Sequence, residues 1–282
     1  MAGHRLSKSN IRSFLGGARW LARDCFITAN QNPIFVFGNA KSGTTIISHL
    51  ISRAAGLSLT SDIIRAIPDA CLAVQLEHQL LSIESIAKKY RFEFSKDIIK
   101  EPVFTPYASR FMKHFKHSRA AFVFRDPRDN LRSILQRLKI PGHLDWINPA
   151  EWPEVKKTKA WKMSLLGGWW FEPGSNQYIE ALAQTWNRNF LEYRRQAEQY
   201  VLIRYEDFVA RKSGEIERAI DDLGLRIKYD ISPEVDKQMQ PKGDHTIAIA
   251  EFFGESNLAR IESICAEGIS ALNYPKSVSS NN

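Results

Sequence analysis

The chain has 282 residues, with 39 Lys plus Arg against 31 Asp plus Glu, a net charge of +8. Its 44% hydrophobic and 25% charged residues exclude wholesale disorder, and 15 Gly and 12 Pro are too few for a fibrous chain. The basic excess points to an anionic partner: nucleic acid, a membrane surface or a phosphorylated small molecule. Cys25, Cys71 and Cys265 are scattered and odd in number, which argues against a disulfide framework or a zinc site and for a reducing, cytoplasmic compartment. No apolar run approaches the length of a membrane span, and the N-terminus lacks the apolar centre of a secretory signal.

Along the chain, residues 1–30 read as a basic extension. Arg5, Lys8, Arg12, Arg19 and Arg23 precede the first acid, Asp24, and Ile11, Phe14, Leu15, Ala18 and Leu21 can share one helical face. Such a helix can lie on anionic lipid, serve as a transit peptide, or pack on the domain as a basic surface helix. Residues 31–282 read as a single domain. The apolar run 34–38 predicts a buried strand, and Ile46, Ile47, Leu50 and Ile51 predict a helix from Thr44 to Ala55, ending near Gly56. A helical stretch follows over 69–90, then a strand at Asp97–Ile99 stopped by Pro102. Next come a strand at Ala120–Phe124, a helix at Asp129–Leu138, a long helix at Asn176–Gln199 and a strand at Val201–Ile203. Ser213 is the expected N-cap of a helix closed by Gly224, and Asn257–Leu272 reads as the last helix. This alternation predicts an α/β fold with a mostly parallel central sheet flanked by helices. Residues 140–175 interrupt it and hold Trp146, Trp152, Trp161, Trp169 and Trp170, five of the seven tryptophans, so they read as an insertion.

The first strand runs into Gly38-Asn39-Ala40-Lys41-Ser42-Gly43-Thr44-Thr45 and then a helix. A strand, a glycine turn and a helix N-terminus form an anion site, because backbone N–H groups and the helix dipole both face the ligand. Gly38 and Gly43 have the spacing of the nucleoside-triphosphate loop GxxxxGK[ST], but Thr44 stands where its lysine belongs and the lysine has moved to Lys41. A phosphate-loop kinase therefore lacks its β/γ-phosphate lysine here.

Lys41-Ser42-Gly43-Thr44-Thr45 resembles the 5′-phosphosulfate loop of the sulfotransferases, which use 3′-phosphoadenosine 5′-phosphosulfate as donor. A second motif fits that family: Phe122-Val123-Phe124 leads to Arg125, and Ser133 follows eight positions later, as in its 3′-phosphate motif. An arginine forks onto phosphate oxygens and a serine adds a hydroxyl donor. Arg128 and Arg132 lie in the same run and are expected at or near the nucleotide. Val201–Asp207 resembles the family's strand followed by Tyr-Glu-Asp, with Tyr205 at the adenosine end. Pro241–His245 resembles its late Lys-Gly loop, which puts Lys242 and Gly243 over the 3′-phosphate. Ile98–Pro102 resembles the strand whose lysine, here Lys100, reaches the phosphosulfate. The resemblance spans about residues 33–274.

It implies in-line sulfuryl transfer without a metal, close in logic to phosphoryl transfer. Lys41 neutralises the bridging oxygen, Thr44 and Thr45 hold the 5′-phosphate with the loop amides, and Lys100 touches the sulfuryl group. A hydroxyl or amine acceptor needs a general base. The histidine used by cytosolic sulfotransferases is missing, and Glu101 follows Lys100 in its place. Other members use a glutamate about twenty residues past the loop; Ser61–Pro68 lies at that spacing and resembles the protein-tyrosine enzymes through Arg65, Ile67 and Pro68. That makes Asp62 the preferred base, ahead of Glu101 and His78. The tryptophans either stack on a sugar ring or aromatic acceptor or form a small satellite core under a long loop; Lys156, Lys157 and Lys159 suit an acidic acceptor, and the basic N-terminus keeps a glycolipid and a peripheral membrane contact open. Nucleic acid is not expected as a partner. The rival reading is a non-catalytic module of this fold that binds nucleotides or polyanions.

Overall fold

A computed structural model of the chain describes residues 24, 26–63, 71–148, 152–156, 178–239, 243–244 and 246–275. The basic segment before Asp24, most of the Trp-rich insertion, the Arg65–Pro68 stretch and Lys242 lie outside the described residues.

Among the described residues, five strands form one sheet: β1 (Ile34–Gly38), β2 (Leu59–Thr60), β3 (Ile98–Lys100), β4 (Arg119–Phe124) and β5 (Tyr200–Arg204). Every pairing is parallel and the order is β2-β3-β1-β4-β5, so the expected α/β fold is observed. A parallel sheet is covered on both faces, which is why β1 and β4 are apolar at almost every position. The strand period of two sorts them. Phe35, Phe37, Phe122 and Phe124 face one layer, where Phe37 and Phe122 lie 5.4 Å apart and Phe124 meets Trp186 at 5.7 Å. Ile34, Val36, Ala121 and Val123 face the other, under the helices Thr44–Ala55 and Lys212–Asp222. Each fully buried phenylalanine stabilises the fold by about 2–3 kcal/mol relative to exposure.

The helix Thr44–Ala55 has its predicted bounds, and Gly56 ends it in the left-handed conformation (φ 64°) with its N–H on Arg53 and Ser52 carbonyls. Other expectations need correction. The stretch 69–90 is two helices, Cys71–Glu77 and Ile83–Lys89, because the Ser82 side chain accepts the Ser85 N–H and starts the second. The last helix begins earlier, at Ile249, is interrupted at Gly254 (φ 69°, ψ 162°), stops at Ile264 and resumes as Ala266–Ala271. Ser213 lies inside the helix that starts at Lys212 and caps nothing. The long helix covers Tyr178–Arg194 and gives way to a 3-10 turn at Ala197–Gln199. Among the described residues, no helix is long and apolar enough to cross a membrane.

From β1 the chain goes first to the β2 side, whereas β4 and β5 lie on the other side. The crevice beyond the carboxyl ends of β1 and β4 is therefore the topological switch point, where open α/β sheets bind ligands.

Candidate functional site

The phosphate loop leaves β1 at Gly38 and turns on two left-handed residues, Lys41 (φ 67°) and Gly43 (φ 87°), before the helix Thr44–Ala55 begins. A non-glycine residue at positive φ is uncommon, and such strain persists where the surroundings over-determine it. Three contacts do so here. The Thr105 hydroxyl bonds both the N–H and the carbonyl of Gly38 at 3.0 Å. Asn130, fully buried, donates to the Ala40 carbonyl (2.9 Å) and to Ser42 Oγ (3.0 Å). Arg125 donates to the Lys41 carbonyl at 3.3 Å. Among the described residues, no side chain caps the helix at Gly43, so its first-turn amides face the crevice.

A cavity of about 470 Å³ opens at this turn. Its lining includes Lys41, Gly43, Thr44, Thr45, Arg125, Ser133, Tyr205 and Gly243. Of the remaining donor-site candidates, Ser42 is buried beneath the loop on Asn130, and Lys242 lies outside the described residues. The Tyr205 ring covers Gly43 so closely that a Cβ there would sit 2.3 Å from Tyr205 Cδ2, so Gly43 is required by both its φ and its neighbour. The Arg125 guanidinium lies 4.8 Å from the centre of the same ring. Burial, then the charges of Arg137 and Arg125, hold the Lys41 ammonium below the ordinary lysine pKa. Cations so crowded repel each other until an anion joins them.

Two arginines do not follow the expectation. Arg128 turns away from the cavity, clasps Asp126 (Nη2 to Oδ2, 2.6 Å) and reaches Glu262 (2.9 Å) and the Pro275 carbonyl (2.6 Å). Arg132 reaches the Ile247 carbonyl (3.1 Å) and Asp129. Both bind the helix Pro127–Leu138 to the C-terminal layer; its helical phase turns Ser133 to the cavity and these two elsewhere, while Arg125 reaches the cavity from the link between β4 and the helix. Glu206, from the Tyr-Glu-Asp segment, accepts the Asp126 N–H at 2.9 Å and so ties that segment to the arginine motif.

On the β3 side, Lys100 is almost fully buried and its Nζ donates to Asp62 Oδ1 at 2.7 Å. Asp62 is 40% exposed, which leaves it accessible from solution. Glu101 is buried. Its Oε2 accepts the Ile63 N–H (2.9 Å) and its Oε1 the Val103 N–H (3.1 Å), so both oxygens hold backbone and Glu101 caps the 3-10 helix Pro102–Tyr107. Burial pushes the Glu101 carboxyl above the usual range, and those two N–H groups pull against the rise. His78 sits past the end of the helix Cys71–Glu77. Lys100, Asp62 and Glu101 form one group, separate from the cavity lining.

Several site residues were not read from the sequence. Asn130 stands within the second motif, but its role depends on a loop ninety positions away. Asn189 and Trp186, on the helix Tyr178–Arg194, bond Asn39 and the Arg125 carbonyl and support both motifs from below. Lys212 and Asp236 pair across the cavity wall, and Val235–Met239 complete it. That segment is fastened to the phosphate-loop helix by Glu234, which bonds His49 (2.7 Å) and Arg53 (2.8 Å).

No protein-family model matches the chain, and no curated protein matches it. Solved structures do. A sulfotransferase from Mycobacterium tuberculosis is 12% identical over 90% of this chain and 81% of that one, with a TM-score of 0.52. A mouse sulfotransferase complexed with PAP is 12% identical over 89% of both chains, with a TM-score of 0.50. With its parallel five-stranded sheet and its loop at the switch point, the chain has the sulfotransferase fold.

Proposed function

We propose that this protein transfers a sulfuryl group from 3′-phosphoadenosine 5′-phosphosulfate to a hydroxyl or amine of its acceptor. The observation that carries the reading is one cavity lined by Lys41 and Gly43–Thr45 and also by Arg125, Ser133 and Tyr205. The residues fit a nucleotide phosphorylated at both ends. The uncapped helix start offers amides to one phosphate, Arg125 and Ser133 offer a fork and a hydroxyl to another, and the volume is that of a small-molecule site. When bound, the donor supplies the sulfuryl group and a good leaving group.

The protein's part is position and charge. The loop amides with Thr44 and Thr45 hold the 5′-phosphate, and Lys41 meets the charge that grows on the bridging oxygen. Asp62 is the general base: its exposed carboxylate takes the acceptor's proton, while Lys100 fixes its Oδ1 and leaves Oδ2 for the acceptor. Glu101 is a positioning residue that holds the Ile63 backbone, and with it the neighbouring Asp62. The acceptor proposed is a small molecule, glycan or glycolipid bearing a hydroxyl.

Calorimetry of the full chain with 3′-phosphoadenosine 5′-phosphate tests the donor, and labelled-sulfate transfer to phenols, sugars, glycolipids and peptides tests the reaction. Micromolar binding with transfer supports the proposal. Binding without transfer to any acceptor makes the protein a nucleotide-binding module, and absence of binding removes the reading. The Glu101 assignment has its own test. Glu101→Gln puts an amide NH2 against one of two backbone donors, so it is expected to cost about 1–3 kcal/mol of stability. Urea unfolding should register that loss, with turnover per folded molecule retained; abolished turnover at unchanged stability would instead make Glu101 the base.

A further inference from the structure

We propose that the end of the sheet opposite the cavity docks on an anionic lipid surface. The cavity lies beyond the carboxyl ends of the strands, so the opposite end is where the strands begin. Two loops meet there. The end of the helix Ala108–His114, the turn after it and the first residue of β4 carry Lys113, His114, Lys116, His117 and Arg119, all exposed, with no acid among residues 113–119. Arg226-Ile227-Lys228-Tyr229 lies beside this stretch, since the turn at Gly224 abuts the Arg119 guanidinium. This second loop is held firmly: the N–H groups of Lys228 and Tyr229 both bond the Ala54 carbonyl (2.7 and 3.1 Å) at the end of the helix Thr44–Ala55, and the Tyr229 ring rests on Gly56.

Its tips are apolar. Ile227 is 52% exposed, between Arg226 and Lys228, and Tyr229 is 61% exposed, between Lys228 and Asp230. A polyanion in water gains nothing from an exposed isoleucine. The boundary between headgroups and acyl chains does, because it takes up an aliphatic tip and an amphipathic ring while the flanking cations meet lipid phosphate. Nucleic acid is the weaker fit for that reason.

A separate observation agrees. The chain enters the fold at this same end: the Asp24 side chain accepts the Phe92 N–H (2.9 Å), and the Asn30 N–H bonds the Phe94 carbonyl (2.8 Å) just before β1. Phe26 there is 92% exposed. The sequence before Asp24 holds Arg5, Lys8, Arg12, Arg19 and Arg23 without an acid. Cations and unburied apolar groups of the described residues therefore lie together at this end of the molecule, with Asp24, Asp222 and Asp230 as neighbouring acids.

The test is co-sedimentation of the full chain with vesicles of phosphatidylcholine alone and with about one-third phosphatidylserine, at about 0.1 M salt. The expected result is binding to the phosphatidylserine vesicles only, weakened about 100-fold by the triple substitution Lys116→Ala, Arg226→Ala, Lys228→Ala. Ile227→Ser with Tyr229→Ser should weaken it about tenfold and leave its salt dependence unchanged. Unaltered circular dichroism and melting certify the fold of each variant, whatever the donor proves to be. Equal binding by wild type and both variants would overturn the proposal in favour of the first 23 residues alone. Absence of vesicle binding would overturn it outright, as would patch-dependent binding to a short DNA duplex without vesicle binding.

Discussion

Replacing Lys41 with alanine is expected to lower turnover about 1000-fold, the scale of removing a charge-stabilising donor from a preorganised site. In the proposed mechanism Lys41 meets charge that exists fully only as the donor's bridging bond breaks, so its loss should fall on kcat more than on nucleotide affinity. The change also relieves repulsion from Arg125 and Arg137. The pH dependence follows from the same crowding. With its pKa held below 10.5, Lys41 loses its proton earlier than an ordinary lysine as pH rises. The kcat/KM for donor, which reports the free enzyme, should therefore fall on the alkaline side below that value, and Lys41→Arg should move the fall to higher pH. Single-turnover kinetics with labelled donor across pH measure both effects. An alanine variant as active as wild type would exclude Lys41 from the chemical step.

Asp62→Asn carries the second large effect, a fall in turnover of about 100-fold or more. Asparagine keeps the size and can still accept from Lys100 Nζ, so the local geometry should survive while the proton acceptor is lost. Affinity for 3′-phosphoadenosine 5′-phosphate should stay at the wild-type value, because Asp62 lies outside the cavity lining. Paired calorimetry and transfer assays separate the two quantities. Loss of nucleotide binding together with turnover would mean that the Asp62–Lys100 pair holds the donor instead.

What could be read along the chain was what neighbouring residues decide. The strand Ile34–Gly38, the loop through Lys41 and Gly43 and the helix Thr44–Ala55 are contiguous, and glycine turns, helix ends and apolar periods act over a few positions. The same holds for Phe124 to Pro127, where strand end, Arg125, cap and first helical residue follow one another. Helix breaks were harder: the 69–90 stretch kept its apolar pattern across a turn that Ser82 ends by capping, and the last helix hid the kink at Gly254.

The directions of buried charges came only with the tertiary structure. Arg125, Arg128 and Arg132 share one short motif, yet Glu262 and the carbonyls of Ile247 and Pro275, all more than a hundred positions later, draw the last two away from the cavity. Spacing along the chain favoured Asp62 over Glu101 as the base but did not show what each carboxylate holds. The pairing of β2 with β3, two residues long and without a period to read, brings Lys100 to Asp62 and the Ile63 N–H to Glu101, so one carboxylate stays accessible and the other becomes a cap. Sequence by itself determined the anion loop, the arginine that follows β4 and the α/β class, because backbone conformation and strand burial are local. Which charged side chains face the cavity was decided by packing: a buried charge turns toward whatever distant partner compensates its lost hydration.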